Sequence, residues 1–311
     1  MIILDPDLVA KIAQIASVLE VSGYPKPGNV HRTQDFEDMI FEDFLISGIV
    51  IGDVMKKAAL KGAKYKDQPD SLYKIRLGEL IKEAVNETNK WIDNNTNLGI
   101  ILLLTPLSAA AGMSNNFLEL RDNIDKIMRA TTSMDALNLY DSINIAEAGG
   151  MGERDELDVG SEKAKIELLK NEINMFQVFD ISSEWDMLSF ELTNQMPVTF
   201  EVGFPLFKDI KMNYGINKAT IQTFLTILSK FPDTLISRKY GVDVAMEVLN
   251  DAKYILDMGV VLKDEGYNLL EDFDQKLISK KLNPGTTADL TASSIMVAFL
   301  EEFTIKKVLI K

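Results

Sequence analysis

Apolar residues recur at the helical period along almost all of this 311-residue chain, which confines it to an all-α fold. The opening is representative. Asp5-Pro6 supplies an N-cap and a proline at the first helical position, and Leu8, Ile12, Ile15 and Leu19 then line one face. Further helices are expected over 38–59, 72–91, 98–111 and 117–128. Thr132-Ser133-Met134-Asp135 reads as a capping box for another, with Ala136, Leu139, Ile143 and Ala146 on its face. The same spacing returns over 161–176, 186–195, 217–230, 241–257, 264–279 and 289–303. Residues 61–70 read as a loop, and only 198–207 reads as extended. With no Ser/Gly-rich linker and no internal repeat, the expectation is a single domain over 1–311.

Two Pro-Gly segments interrupt the helices. Tyr24-Pro25-Lys26-Pro27-Gly28-Asn29-Val30 lies near the start, and Asn283-Pro284-Gly285-Thr286-Thr287-Ala288-Asp289 near the end. Each breaks one helical pattern just before the next begins, where backbone N–H groups form natural sites for phosphate or carboxylate. Acidic residues follow each soon after, so the pair suggests one nucleotide site built from both ends of the chain.

Composition narrows the chemistry. A net charge of −14 argues against nucleic acid as a partner, because phosphate backbones need a basic surface. There is no cysteine and one histidine, His31, which excludes thiolate catalysis, disulfides and Cys- or His-rich metal sites. The start has no basic n-region or signal-peptide core, and the apolar run 98–111 is too short to span a bilayer and contains Pro106. It reads as a buried helix of a cytoplasmic protein without a membrane partner.

Eight motifs then fall in a recognisable order. They are Glu20 with Pro25-Lys26-Pro27-Gly28, Asp35-Phe36-Glu37-Asp38-Met39 running into Phe44-Leu45-Ile46-Ser47, Asn95-Thr96-Asn97-Leu98-Gly99, and Thr132-Ser133-Met134-Asp135-Ala136. Gly149-Gly150-Met151-Gly152 with Asp158, the pair Asp186 and Glu191, Asp233-Thr234 with Arg238, and Asn283 to Leu290 complete the set. In this order the chain resembles the triphosphoribosyl-dephospho-CoA synthases over almost its whole length. Bacterial members carry His where this chain has Phe36, and His-Lys where it has Asn97-Leu98. The resemblance is therefore to a divergent, archaeal-like branch whose acceptor side differs.

The resemblance implies that ATP loses adenine while its triphosphoribosyl group passes to the ribose 2′-hydroxyl of 3′-dephospho-CoA or a related cofactor precursor. An oxocarbenium-like transition state makes carboxylates useful, one of them as general base. Asp38, Asp186 and Glu191 are the catalytic candidates. Mg²⁺ on the triphosphate would be held by Asp35, Asp38, Glu42 and Asp289. Lys26, Gly28, Asn29, Gly150, Arg238, Lys239, Asn283 and Thr287 are the substrate-binding candidates, and a homo-oligomer is compatible with the family.

The residues also permit plainer readings. Asp35, Asp38 and Glu42 share a helical face only if a helix already covers them, and with Glu37 and Asp43 beside them they could form a solvated acidic face. Asp186 and Glu191 stand roughly 140° apart on a helix. Asp135 could serve only a capping box, Asp289 only a helix dipole, and the Gly149–Gly152 turn only a helix stop. His31 reads as a solvated loop residue rather than a catalyst. Two alternatives stay open: a nucleotide or ADP-ribose glycohydrolase on the same scaffold, and a nucleotide-binding regulator without catalysis.

Overall fold

The computed structural model describes residues 4–147, 159–259, 261–263 and 266–309. Helices dominate them, and the one β-type pairing among them is an isolated bridge between His31 and Gln34. The all-α expectation holds. In chain order the helices are α1 (Pro6–Val21), α2 (Phe41–Val50), α3 (Gly52–Tyr65), α4 (Leu77–Asn89), α5 (Leu98–Met113), α6 (Leu120–Arg129) and α7 (Ser133–Ile145). There follow α8 (Glu162–Lys170), α9 (Met175–Ser182), α10 (Met187–Thr193), α11 (Phe204–Lys230), α12 (Thr234–Tyr240), α13 (Val242–Asp257), α14 (Tyr267–Ser279) and α15 (Gly285–Leu309). No described helix is long and apolar enough to cross a membrane.

The chain divides into two compact units. The first comprises Met1–Ile15, Ile46–Met196 and Phe299–Lys311; the second comprises Ala16–Leu45 and Pro197–Ala298.

In the first unit α5 is the central element, buried along nearly its whole length as its apolar sequence predicts. It packs on α3 at backbone distance. A Cβ on Gly62 would lie 1.9 Å from the Ala109 carbonyl oxygen, and one on Gly112 would lie 1.9 Å from that of Ala59. Only glycine allows either approach. At α7 the Thr132–Asp135 capping box forms with both of its hydrogen bonds, as its sequence predicts.

In the second unit, Ile221, Phe224 and Leu228 of α11 meet Val248 and Ala252 of α13, with Leu270, Phe273 and Leu277 of α14 closing the core. The stretch expected to be extended is instead a π-helical turn, Val198–Gly203, leading into α11. Packing overrides its β-favouring residues. Gly203 sits so close to α15 that an added Cβ would be 1.9 Å from Ser294 Oγ, and the Thr199 and Ser293 hydroxyls are 2.7 Å apart. Gly215 breaks α11 with φ 82° and ψ 173°.

Several boundaries move for local reasons. The helix expected over 38–59 is two helices, α2 and α3, and the first begins only at Phe41. Asp35, outside the helix, accepts the Phe41 N–H at 2.8 Å, and Asp43, in its first turn, accepts the Ile40 N–H at 3.0 Å, so the two carboxylates cap its start. Residues 61–65 belong to α3 rather than to a loop, because Lys61 and Lys64 favour helix and Gly62 fits against α5. The expected 161–176 helix is split by Asn174, which makes its own capping box for α9.

Asp141 of α7 joins Lys82 of α4 at 2.6 Å and Lys165 of α8 at 3.1 Å. Burial would raise the Asp141 carboxyl, but the bonds to Lys82 and Lys165 outweigh it and hold the group below the ordinary carboxylate range. Its contribution is therefore present above the unfolded Asp value and is lost as pH falls through the lower folded one. Asp141→Asn should lower stability at neutral pH by about 0.5–1 kcal/mol and flatten the acid limb of a melting-temperature profile. Profiles that superimpose at every pH would show that the two lysines contribute nothing.

Candidate functional site

Both Pro-Gly loops belong to the second unit, and the structure shows what holds them. The first loop contains a cis Tyr24–Pro25 peptide bond and turns at Gly28, whose φ is 75°. Asp274 of α14 anchors it from below. One carboxylate oxygen accepts the Gly28 N–H at 2.8 Å, and the other lies 3.1 Å from His31 Nε2. His31 Nδ1 faces the Thr33 N–H at 3.4 Å, so the network assigns the donor role to Nε2. On the other side Asn217 of α11 exchanges two hydrogen bonds with the Tyr24 backbone, at 2.6 and 3.0 Å. His31 is thus 2% exposed and tied to a carboxylate, not a solvated loop residue.

Lys26 is equally buried. Its ammonium lies 2.5 Å from the Glu20 carboxylate and 3.2 Å from the Glu20 carbonyl, with both side chains almost inaccessible. Burial pushes the Glu20 carboxyl up, while the charge of Lys26 and its hydrogen bond pull it down. The early Glu and the Pro-Lys-Pro-Gly turn are therefore two halves of one buried pair.

The second loop is organised by Asp233, the N-cap of α12. One oxygen accepts the N–H groups of Leu235 and Ile236 at 3.0 and 3.1 Å. The other accepts the N–H and the hydroxyl of Thr287, both at 2.8 Å, in the first turn of α15. Burial raises this carboxyl, against the opposing pull of the Thr287, Ile236 and Leu235 donors. The Thr234 and Thr286 hydroxyls add a link at 3.1 Å, and at the far end of α12 the Tyr240 hydroxyl donates to the Lys281 carbonyl at 2.9 Å.

The two loops touch. A Cβ on Gly28 would meet the Leu282 carbonyl oxygen at 2.5 Å and Pro284 Cδ at 2.9 Å. Positive φ and this contact both demand glycine there. The sequence pairing of the loops is thus a physical pairing, but its electrostatic meaning changes. The Gly28 and Thr287 amides, which would cradle a phosphate, already donate to Asp274 and Asp233. The protein supplies its own anions to these sites.

The remaining candidates fall into distinct settings. Asn29 is buried and its side chain donates to the Pro27 carbonyl at 3.3 Å. Arg238 is half-buried and Lys239 exposed, both in the last turn of α12. Asn283 keeps a buried Oδ1 with no hydrogen-bond partner among the described residues. Asp38 and Glu42 are exposed and Asp289 is half-buried within α15, which begins at Gly285 rather than at 289. Because α2 starts at Phe41, the helical face expected to gather Asp35, Asp38 and Glu42 does not form. Among the described residues no group of three or more His, Cys, Asp or Glu could hold a metal ion.

In the first unit Asp186 caps α10 through the Ser189 N–H at 2.9 Å, and Glu191 is fully buried. Asp135 completes its capping box and also accepts the Gly78 N–H at 2.9 Å, joining α7 to α4. Asn97 and Leu98 are buried, with the Asn97 amide donating to the Ser47 carbonyl and the Thr88 hydroxyl at 3.2 Å each. The departure from the bacterial pattern there is one of internal support. Gly150 and the rest of the Gly149–Gly152 turn lie outside the described residues.

Sequence reasoning missed Asp274. Its signal was readable: with Leu270, Phe273 and Leu277 around it, an acid occupies the apolar face of an amphipathic helix. Asp233 was visible within a motif, although its span between two helices was not.

The Glu20–Lys26 pair gives a direct test. Lys26→Met should cost about 3–5 kcal/mol because it strands a buried carboxylate, whereas Glu20→Leu with Lys26→Met should recover most of that loss. Chemical denaturation of the wild type, the single variant and the double variant reads it out. A single variant as stable as wild type would place the lysine in solvent instead.

The whole chain can be compared with known proteins. A family model described as ATP:dephospho-CoA triphosphoribosyl transferase matches residues 6–307. A Streptococcus equi subsp. zooepidemicus protein named as a 2-(5′′-triphosphoribosyl)-3′-dephosphocoenzyme-A synthase is 25% identical over 300 residues, covering 95% of this chain and 97% of that protein. A Klebsiella pneumoniae synthase of the same name is 37% identical over 76 residues, covering 24% of this chain and 25% of that protein. A solved Archaeoglobus fulgidus protein, assigned to the triphosphoribosyl-dephospho-CoA synthases, superimposes with a TM-score of 0.60 at 24% identity. It covers 79% of this chain and 99% of its own, and shows a shared fold. With the family model matching from the first helix into the last, the chain belongs to the ATP:dephospho-CoA triphosphoribosyl transferase family.

Proposed function

We propose that this protein, acting as one family domain over 1–311 in the cytoplasm, transfers the 5-triphosphoribosyl group of ATP to the 2′-hydroxyl of 3′-dephospho-CoA or a close relative. The observation that carries this reading is the family match from residue 6 to 307, with the two Pro-Gly loops packed on each other inside it. In the reaction the bond between ribose C1 and adenine N9 breaks, and a bond from C1 to the acceptor oxygen forms. The acceptor proton is taken by a base, and the departing adenine is protonated.

The loop amides being occupied, the triphosphate is assigned to side-chain cations, with Arg238 and Lys239 of α12 as its contacts. Arginine suits this role because its planar fork meets phosphate oxygens in pairs. Mg²⁺ enters with ATP, since this ion keeps most of its waters and needs only one or two carboxylates beside the phosphates. Asp289 and Asp38 are the groups that would supply them. Asp38 is also the candidate general base, being an exposed carboxylate within the acidic segment of the family motif. No step is placed on Asp186 or Glu191.

Incubation with ATP, Mg²⁺ and dephospho-CoA should release one adenine per triphosphoribosyl adduct, followed by chromatography and mass spectrometry. Asp38→Asn should slow turnover by about 10²-fold at unchanged fold. Adenine released without adduct would identify a glycohydrolase, and none released from folded protein that binds ATP would leave only the regulator reading.

A further inference from the structure

We infer that Asp233 is a positioning residue for the ATP site: one buried carboxylate fixes the cation-bearing helix α12 against the loop that carries Asn283. The inference rests on the transferase reading and deepens it.

Four hydrogen bonds converge on this carboxylate, two from the first turn of α12 and two from Thr287. Each oxygen serves one helix, so the two termini are locked through a three-atom bridge. The rest of α12 is pinned to the same loop. An added Cβ on Gly285 would lie 2.7 Å from Leu235 Cδ2, the Thr234 hydroxyl meets that of Thr286, and Tyr240 reaches the Lys281 carbonyl.

Between Lys281 and Gly285 the loop holds Asn283, whose buried Oδ1 has no partner among the described residues. Leaving such an acceptor unpaired costs about 1–3 kcal/mol, so a packed loop that retains it has a stated need for a donor. A ribose hydroxyl of the bound nucleotide has that chemistry. Arg238 and Lys239 are carried by α12 and Asn283 by the loop before α15, and Asp233 ties these two elements together. Asp233 itself, 2% exposed and fully engaged, does not touch substrate.

Asp233→Asn preserves shape but puts an amide NH₂ against one set of donors, so one of the two helices is released. The KM for Mg·ATP should rise at least about tenfold with that for dephospho-CoA near wild type, in line with the sensitivity of positioned sites to small displacements. Asp135→Asn, which unlinks α7 from α4 in the other unit, should lower the melting temperature and leave both KM values in place. Thr286→Val, which removes only the hydroxyl link, should raise the ATP KM in the same direction by about threefold. An Asp233→Asn enzyme with both KM values unchanged, or both raised equally, overturns the proposal. Should that variant fail to fold, Thr286→Val decides: a higher ATP KM supports the proposal and an unchanged one overturns it. Wild-type protein inactive with dephospho-CoA sinks the transferase reading instead. Asp233 is then judged by Mg·ATP affinity from calorimetry, tenfold weaker binding in Asp233→Asn supporting the role and equal binding overturning it.

Discussion

Carboxylates buried against backbone amides hold the second unit in its working shape. Asp233 binds the first turns of α12 and α15 together, and Asp274 fixes the turn at Gly28. Both exploit the rule that makes helix starts and glycine turns attractive to phosphate: unpaired N–H groups and local dipoles favour an anion. A carboxylate from within the protein meets that demand. Once burial has stripped water from the carboxylate, its several hydrogen bonds are what make the arrangement tolerable, and removing any donor is costly.

This shifts the chemistry from backbone to side chains. On the proposed reading, a nucleotide approaching the paired loops meets amides already in use, and charge recognition would fall to Arg238, Lys239 and the cation carried by ATP itself. Such a design suits an acidic protein. With 47 acidic against 33 basic residues, the proposed site would use a few placed cations and the metal ion of Mg·ATP where other proteins use a basic surface. The loops become a rigid frame, and rigidity is what a transfer between two large substrates requires.

Much of the fold was legible in the sequence because helical period and cap chemistry are local. The α5 run, the Thr132 capping box and the break at the first Pro-Gly segment appear as read, while α15 begins at Gly285, inside the second segment. The failures have a common cause in tertiary context. The 198–207 stretch has strand-like residues but packs closely on α15 as a π-helical turn that leads into α11. Residues 35–40 have helical spacing with the acids that follow, yet the Asp35 side chain caps α2 from outside, and the helix begins only at Phe41. The site was legible as a set of motifs and illegible as a set of roles. Lys26 reads as a phosphate ligand until its partner Glu20, six residues earlier, is seen buried with it. Asp274 escaped notice because its meaning depends on a loop some 246 residues away in sequence.

A crystal structure with Mg·ATP bound tests the central claim most directly. The expected result is that the Gly28 and Thr287 amides still donate to Asp274 and Asp233 while the phosphates lie against Arg238 and Lys239. Phosphate oxygens on either amide, with its carboxylate displaced, would contradict it.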